Sequence, residues 1–333
     1  MPLAAWLAVV PGARLGLLLA ALFLAAQPAA AQTAIYPAKP IRVVIPFSAG
    51  SPIEVPARAV TQRLADRFGQ QFVFDYRTGA SGTIGTEAVA RAARDGYTML
   101  VTNCAHTSNP AYIRKLAYDP IADFSPIMQI NVTYGNLLVV HPSLPVRSVK
   151  EFIALAKKVP GRLNYATAGI GSPPHVTGAL FAAMAGVELV HVPYKGTAVA
   201  FTDVLAGNVE VMFVSQTFAR PWIEARRVRP LGIGGPRRSP RYPDLPTFEE
   251  AGLAGFDVTC YHGMWFPAGV PREIVRTVYS EAAKIVALPE VRKYLEESDL
   301  LPTGLSPEDF ADFLKKDVAR QLAIARRIGV EPQ

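Results

Sequence analysis

The chain is poor in cysteine, in charge and in blocks of single-signed charge. Its 333 residues include two cysteines, Cys104 and Cys260. Two are too few for a disulfide scaffold or a cysteine-based zinc cluster. In an oxidising compartment they could pair; each could equally serve as a small buried apolar residue. Charged residues make up 18% against 50% hydrophobic ones, which excludes a disordered chain and supplies enough apolar surface for a large core. The length suits two ordinary domains or one large one. The net charge of +7 is scattered, and the densest basic pairs (Arg226–Arg227, Arg237–Arg238, Lys315–Lys316, Arg326–Arg327) lie far apart. A nucleic-acid binder gathers its Lys and Arg on one stripe. A surface that tolerates anions is therefore expected here, with no nucleic-acid partner.

Catalytic signatures are also missing. Gly79-Ala80-Ser81-Gly82-Thr83 fails the nucleophile-elbow pattern at its last position. There is no H-E-x-x-H, and His106, His141, His175, His191 and His262 show no metal-ligand spacing. No metal, no cofactor and no enzyme activity are expected.

What the chain does have begins at its N-terminus. Residues 1–31 contain no acid and one base, Arg14, followed by an apolar run from Leu15 to Ala26. Ala29-Ala30-Ala31 before Gln32 fits the small-x-small cleavage rule. The run is short for a membrane span, and no later segment has 18 consecutive apolar residues. A cleavable signal peptide over 1–31 and a periplasmic product are expected; the rival is an uncleaved anchor.

Beyond it, runs rich in Val, Ile, Leu and aromatics alternate with helical patterns. Strands are predicted at Ile41–Pro46, Phe72–Tyr76, Tyr97–Thr102, Asn136–His141, Leu163–Ala166, Leu189–Val192, Val209–Val214 and Leu231–Gly234. Helices are predicted near 54–68, 83–94, 148–158, 173–186, 197–206, 217–226, 271–286 and 306–328. This alternation argues for parallel sheets of the α/β class. Apolar stretches at 125–141 and 254–267 are candidate crossovers between two domains; a single large sheet is the alternative.

Ligands in such sheets bind at the carboxyl ends of strands, where helices begin. Three segments have that form. In Pro46-Phe47-Ser48-Ala49-Gly50-Ser51-Pro52-Ile53-Glu54 a strand runs through a small-residue loop into a helix. Ser51 can be its N-cap and Glu54 the capping-box acid, although Pro56 can push the start nearer Val55. Leu163 to His175 repeats the logic, with Thr167, Ala168, Gly171, Ser172 and His175 in or beside the loop and Ser172-Pro173 as a cap like Ser306-Pro307. Ser148 and Glu151 form a further capping box. In His191-Val192-Pro193-Tyr194-Lys195-Gly196-Thr197, Tyr194 and Lys195 could meet a carboxylate, or be a packed ring and a solvated cation. Facing helix starts of this kind would clamp an anion without any catalytic group.

At these residues the sequence resembles the solute receptors of tripartite tricarboxylate transporters, the Bug family of periplasmic binding proteins. The matching text includes Asp95-Gly96-Tyr97-Thr98, Tyr118-Asp119-Pro120, Asp123-Phe124-Ser125-Pro126, Leu163-Asn164-Tyr165-Ala166, Val192-Pro193-Tyr194-Lys195-Gly196, Asp244-Leu245-Pro246-Thr247 and Pro267-Ala268-Gly269-Val270-Pro271. The resemblance implies a type II periplasmic-binding fold: two α/β lobes joined by two crossovers, with a ligand cleft between them. Lobe 1 would comprise 32–133 and 255–333, and lobe 2 would comprise 134–254. It further implies a small carboxylate ligand, delivery to membrane permease subunits, and a monomer. The ligand residues it implies are Phe47, Ser48, Ala49, Gly50 and Ser51 on one lobe. On the other are Thr167, Ala168, Gly171, Ser172, His175, Tyr194 and Lys195, with Asp203 as organiser of the middle loop. The sequence departs from the family at the first loop, which typically reads Pro-Phe-Pro-Pro-Gly-Gly-Gly-Thr-Asp. Here one of three glycines survives and the Asp is Glu54, which would repel a second carboxylate or bind an ammonium group. Val214-Ser215 also replaces the usual Asp-Asn after Met212-Phe213. A sensor or interaction module with an altered cleft, blocked by Pro52, Ile53 and Glu54, is the alternative. A periplasmic hydrolase is a third reading and would need a nucleophile and base within reach.

Overall fold

The computed structural model describes residues 36–329; the expected signal peptide lies outside the described residues. From Lys39 onward the strands form two separate sheets, which excludes the single-sheet alternative. Strands β1 (Ile41–Ile45), β2 (Phe72–Tyr76), β3 (Thr98–Asn103), β4 (Phe124–Thr133), β10 (Tyr261–Pro267) and β11 (Leu300–Leu305) form the first, in the order β11-β4-β10-β3-β1-β2. Strands β5 (Asn136–Val140), β6 (Leu163–Thr167), β7 (Leu189–Pro193), β8 (Val211–Ser215) and β9 (Arg229–Ile233) form the second, in the order β7-β6-β8-β5-β9. In each sheet three strands run parallel: β2, β1 and β3 in the first, and β7, β6 and β8 in the second. Strands β4, β10 and β11 were not expected as strands. Each pairs antiparallel with a partner distant in sequence, and β11 carries Pro302 and Gly304, which obscure its pattern.

Helices connect and cover the strands: α1 (Glu54–Phe68), α2 (Thr83–Ala90), α3 (Ala105–Tyr112), α4 (Val149–Lys158), α5 (Pro173–Ala185), α6 (Thr197–Ala206), α7 (Gln216–Glu224), α8 (Arg272–Ala287), α9 (Pro289–Glu297) and α10 (Pro307–Arg327). Two starts follow their capping signals. Ser148 Oγ accepts from Glu151 N at 3.1 Å while Glu151 accepts from Arg147 N, and Ser306 Oγ accepts from Asp309 N at 3.1 Å. Helix α3 is unexpected. It is short, contains Pro110 and is buried on nearly every residue, so it shows no amphipathic period.

The chain leaves the first sheet at Tyr134–Gly135 and returns between Ile233 and Tyr261. The two crossings touch through glycines. A Cβ at Gly135 (φ +89°) would lie 2.4 Å from Gly235 N, and one at Gly235 would lie 2.1 Å from Tyr134 O. No side chain fits where the strands pass this closely. A second seam lies beside them: Thr217 Oγ1 donates to Ser298 O at 2.6 Å, and Arg241 donates to Asp299 Oδ1 at 2.7 Å and to Glu297 O at 2.6 Å.

The second sheet's core holds Leu138, Val140, Phe152, Tyr165, Phe181, Phe213 and Phe248. It also takes in Ala111 and Tyr112 from α3 and Ile324 and Ala325 from α10, so both helices brace the two halves. The first sheet's core is centred on Leu100, Tyr261, Trp265 and Phe310. Cys104 and Cys260 are bonded to each other across adjacent β3 and β10, resolving the open question of their pairing.

Candidate functional site

The parallel strands of each sheet end in loops that meet across the molecule. The contact is direct: Ser81 Oγ, after β2, donates to Ile170 O, after β6, at 3.2 Å. Tyr112 at the end of α3 packs on Gly171, where a Cβ would lie 3.3 Å from the Tyr112 Cβ, and its ring stands edge-on to His175. The carboxyl ends of β1, β2, β6, β7 and β8 therefore surround one region, the place where open α/β sheets bind ligands.

On the first wall Phe47 is half-buried against Gly82, Ser48, Ala49 and Gly50 are exposed, and Ser51 is half-buried. The capping expected of Ser51 is not made. The residue preceding α1 is Ile53, already in helical conformation, so Ser51 stands too early to reach the helix's free N–H groups. Its Oγ is buried with no partner among the described residues. Glu54 does reach back, but to Gly50: its Oε1 accepts from Gly50 N at 2.6 Å. Its Oε2 accepts from Arg58 Nε at 2.8 Å, and Arg58 also donates to Tyr76 Oη at 3.1 Å. Burial alone would raise the Glu54 pKa, yet the Gly50 N–H, Tyr76 and Arg58 hold it below the ordinary value. Glu54 is thus an occupied anion, not one pointing at an incoming ligand. Ile53 is buried at 2% exposure.

On the second wall Thr167 is fully buried. Its Oγ1 accepts from Gly169 N at 3.1 Å and lies 2.7 Å from His191 Nε2. Gly171 N donates to His175 Nδ1 at 3.2 Å. The two imidazoles lie 4.5 Å apart, tilted by 46°, so the histidine pair pins both ends of the 167–171 loop. His175 is pushed down to about 4 by burial and secondarily by His191; burial lowers His191 as well. The cap expected of Ser172 is absent. Its hydroxyl donates backwards to Gly169 O at 2.6 Å instead of accepting from the start of the helix. The N–H groups of Ala168 and Ile170 have no partner among the described residues.

At the third segment Tyr194 Oη donates to Asp203 Oδ2 at 2.7 Å, and Asn208 Nδ2 reaches Asp203 Oδ1 at 3.3 Å. Burial and then the Asp203 carboxylate push the Tyr194 pKa up to about 12. Tyr194 is therefore committed to Asp203, while exposed Lys195 has no hydrogen-bond or ion-pair partner among the described residues. The first backbone bond of α6 runs from Ala200 N to Gly196 O at 3.1 Å. The Ala198 and Val199 N–H groups stay open at the positive end of that helix.

Two parts of this region escaped sequence reading. One is Gly79–Gly82, whose four residues all have positive φ, including Ala80 at 46° and Ser81 at 55°. Two non-glycine residues in that region cost about 1–2 kcal/mol each, and the turn holds Ser81 against Ile170. The glycines were visible; the conformation of the residues between them was not. The other is Gln216, which opens α7, is 2% exposed and has an Oε1 without a partner among the described residues.

Thr167 and His191 have the spacing of a nucleophile and a base, but Thr167 is fully buried and no carboxylate is bonded to His191 among the described residues. Among the described residues no group of three His, Cys, Asp or Glu could hold a metal ion.

Comparison with known proteins agrees with this geometry. Residues 56–330 match the model of the tripartite tricarboxylate transporter family receptor. A UPF0065 protein from the tcbD–tcbE intergenic region of Pseudomonas sp. (strain P51) is 36% identical over 286 residues, covering 86% of this chain and 85% of its own. Among solved structures, R. palustris Rpa4515 with adipate superposes with a TM-score of 0.85 at 33% identity, covering 90% of this chain and 100% of the other. The periplasmic binding protein BugD superposes with a TM-score of 0.82 at 31% identity, covering 90% and 100%. The two α/β sheets, their facing strand-end loops and these likenesses together place the chain in the tripartite tricarboxylate transporter receptor family, whose relatives are two-lobed periplasmic solute-binding proteins.

Proposed function

We propose that this chain captures a small carboxylate between its two walls and releases it unchanged to the membrane subunits of a tripartite transporter. The observation that carries this reading is the meeting of the strand-end loops at Ser81 and Ile170, with unpartnered N–H groups at Ala168, Ile170, Ala198 and Val199 beside an unpaired Lys195. Together these favour an anion and offer no nucleophile in a catalytic setting. The lobes are 32–133 with 255–333, and 134–254, and they hinge at the glycine crossing of Gly135 with Gly234 and Gly235. Closing on a ligand is a population shift: a ligand that touches both walls stabilises the closed form by its differential affinity. The ligand-contact set is the expected one without Tyr194 and Asp203, and with Ser81 and Gln216 added. Tyr194 and Asp203 act as supports. The protein works as a monomer in the periplasm after removal of residues 1–31. The sensor alternative rests on a cleft blocked by Pro52, Ile53 and Glu54; the engagement of Glu54 by Gly50 and Arg58 favours the receptor reading over it.

The test is a thermal-shift panel on residues 32–333, unfolded and refolded beforehand to strip carried-over ligand. At a hundred times its dissociation constant a bound carboxylate adds about 2.7 kcal/mol. For a chain of this size that is a rise of about 5 °C. A rise with a carboxylate and none with its amide is the expected result. A flat response to every carboxylate would remove the reading.

A further inference from the structure

The two walls differ in what they offer an anion. On the first wall the charged groups, and several of the N–H groups, are already used. The Gly50 N–H is bonded to Glu54, the Ser51 N–H to Ser48 O, and the Glu54 N–H to Ser51 O. Pro52 and Pro56 have no N–H to give. The nearby cations are spoken for: Arg58 is held by Glu54 and Tyr76 with its guanidinium over the Phe74 ring, and Arg77 Nε donates to Asp75 at 2.8 Å. What remains is neutral: the exposed Ser48 hydroxyl, the partnerless Ser51 Oγ and the backbone N–H groups of Ser48, Ala49, Ala80 and Ser81, which have no partner among the described residues. The second wall is the reverse, with Lys195 unpaired and the α6 N-terminus open.

We infer that the ligand is a monocarboxylate whose far end is an uncharged hydrogen-bonding group, as in an ω-hydroxy acid. The inference rests on the receptor reading above and narrows it. The single carboxylate is received by Lys195 and the loops of the second wall. The neutral end meets the hydroxyls of the first. A second carboxylate would give up its hydration at a wall whose nearby cations, Arg58 and Arg77, are already paired, and its route to the Gly50 N–H is to displace Glu54. Buried charge without a partner is disfavoured far more than a buried hydroxyl that finds one.

Calorimetric titration of the refolded protein with length-matched pairs tests this: 4-hydroxybutyrate against succinate, 6-hydroxyhexanoate against adipate, and 4-(hydroxymethyl)benzoate against terephthalate. In the pair that binds best, the hydroxy acid is expected to bind about tenfold tighter than the diacid or more. Two variants give the second arm. Glu54→Gln keeps an oxygen for the Gly50 N–H but frees Arg58; Glu54→Ala frees both. In each, the ratio is expected to move toward the diacid by about tenfold, with far-ultraviolet circular dichroism confirming that the variant is folded. A diacid that binds wild type as tightly as its hydroxy partner overturns the inference and leaves the receptor reading standing. So does a ratio unchanged in both variants. Failure of every carboxylate to bind overturns the receptor reading, and the inference with it.

Discussion

Replacing Cys104 and Cys260 together by alanine is expected to lower the unfolding free energy by about 5 kcal/mol, and the melting temperature by roughly 10 °C. The bond closes a loop of 156 residues. In the chain-entropy account, opening so long a loop restores nearly the largest freedom a single bond can withhold from the unfolded chain. The folded side loses little. Asn103 and His262 are already paired neighbours in the sheet, and Cys104 leads into α3, which is held independently. His106 Nε2 bonds Pro120 O at 2.8 Å, and Thr107 Oγ1 bonds Tyr261 Oη at 2.9 Å and the Asp317 carboxylate. The variant should therefore fold and bind at permissive temperature but unfold at lower urea concentration. Urea titration with and without reductant reads the effect. A loss below about 1 kcal/mol would show that the long-loop account does not apply here.

Acidification is expected to destabilise the protein by an even larger amount. His106, His175 and His262 are each pushed down from 6.5 to about 4, first by burial. His106 lies among Tyr118, Phe124 and Trp265, and His262 faces Asn131 across a strand pair. Folded, all three stay neutral; unfolded, they protonate near 6.5. Their contribution is intact above pH 6.5, is lost as pH falls below that value, and stops changing once pH is below about 4. At pH 5 each has lost about 2 kcal/mol, or about 6 kcal/mol for the three. Glu54, held below its ordinary value, adds a loss at still lower pH. Asp299 has the opposite sign, since burial raises its carboxyl and acid relieves it. Urea midpoints at pH 7.5, 6 and 5 measure the sum, and equal midpoints at pH 7.5 and 5 would contradict it. His175 links this to the site: once protonated, its Nδ1 can no longer accept the Gly171 N–H, and the 167–171 loop loosens.

How much of this was legible in the sequence depended on whether local pattern or distant pairing decided the outcome. The strand-to-helix turns after β1, β6 and β7 showed themselves as apolar runs ending in small residues, and so did the parallel strands buried in each sheet. The antiparallel strands β4, β10 and β11 did not, because their partners lie far away in the chain and their own pattern is broken by Pro126, Pro302 and Gly304. The apolar stretches at 125–141 and 254–267 do contain the passages between sheets, but most of the first and half of the second is strand. Residue types located the loops without giving their hydrogen bonds. Ser51 and Ser172 both carry a capping side chain, yet neither caps: one sits two residues before Ile53, and the other donates its hydroxyl back to Gly169 O. Glu54 was visible as a charge, but its turn toward Gly50 depends on the loop's conformation. The left-handed run at Gly79–Gly82 is set by contacts with the facing loop.

The central claim is that this chain holds one carboxylate and leaves it chemically intact. Equilibrium dialysis of the refolded protein against a mixed pool of mono- and dicarboxylates, with mass spectrometry of what is retained, tests it most directly. The account predicts one compound enriched at one per chain and recovered unchanged after denaturation. Retention of nothing above the buffer level, or recovery of a product in place of the compound supplied, would contradict it.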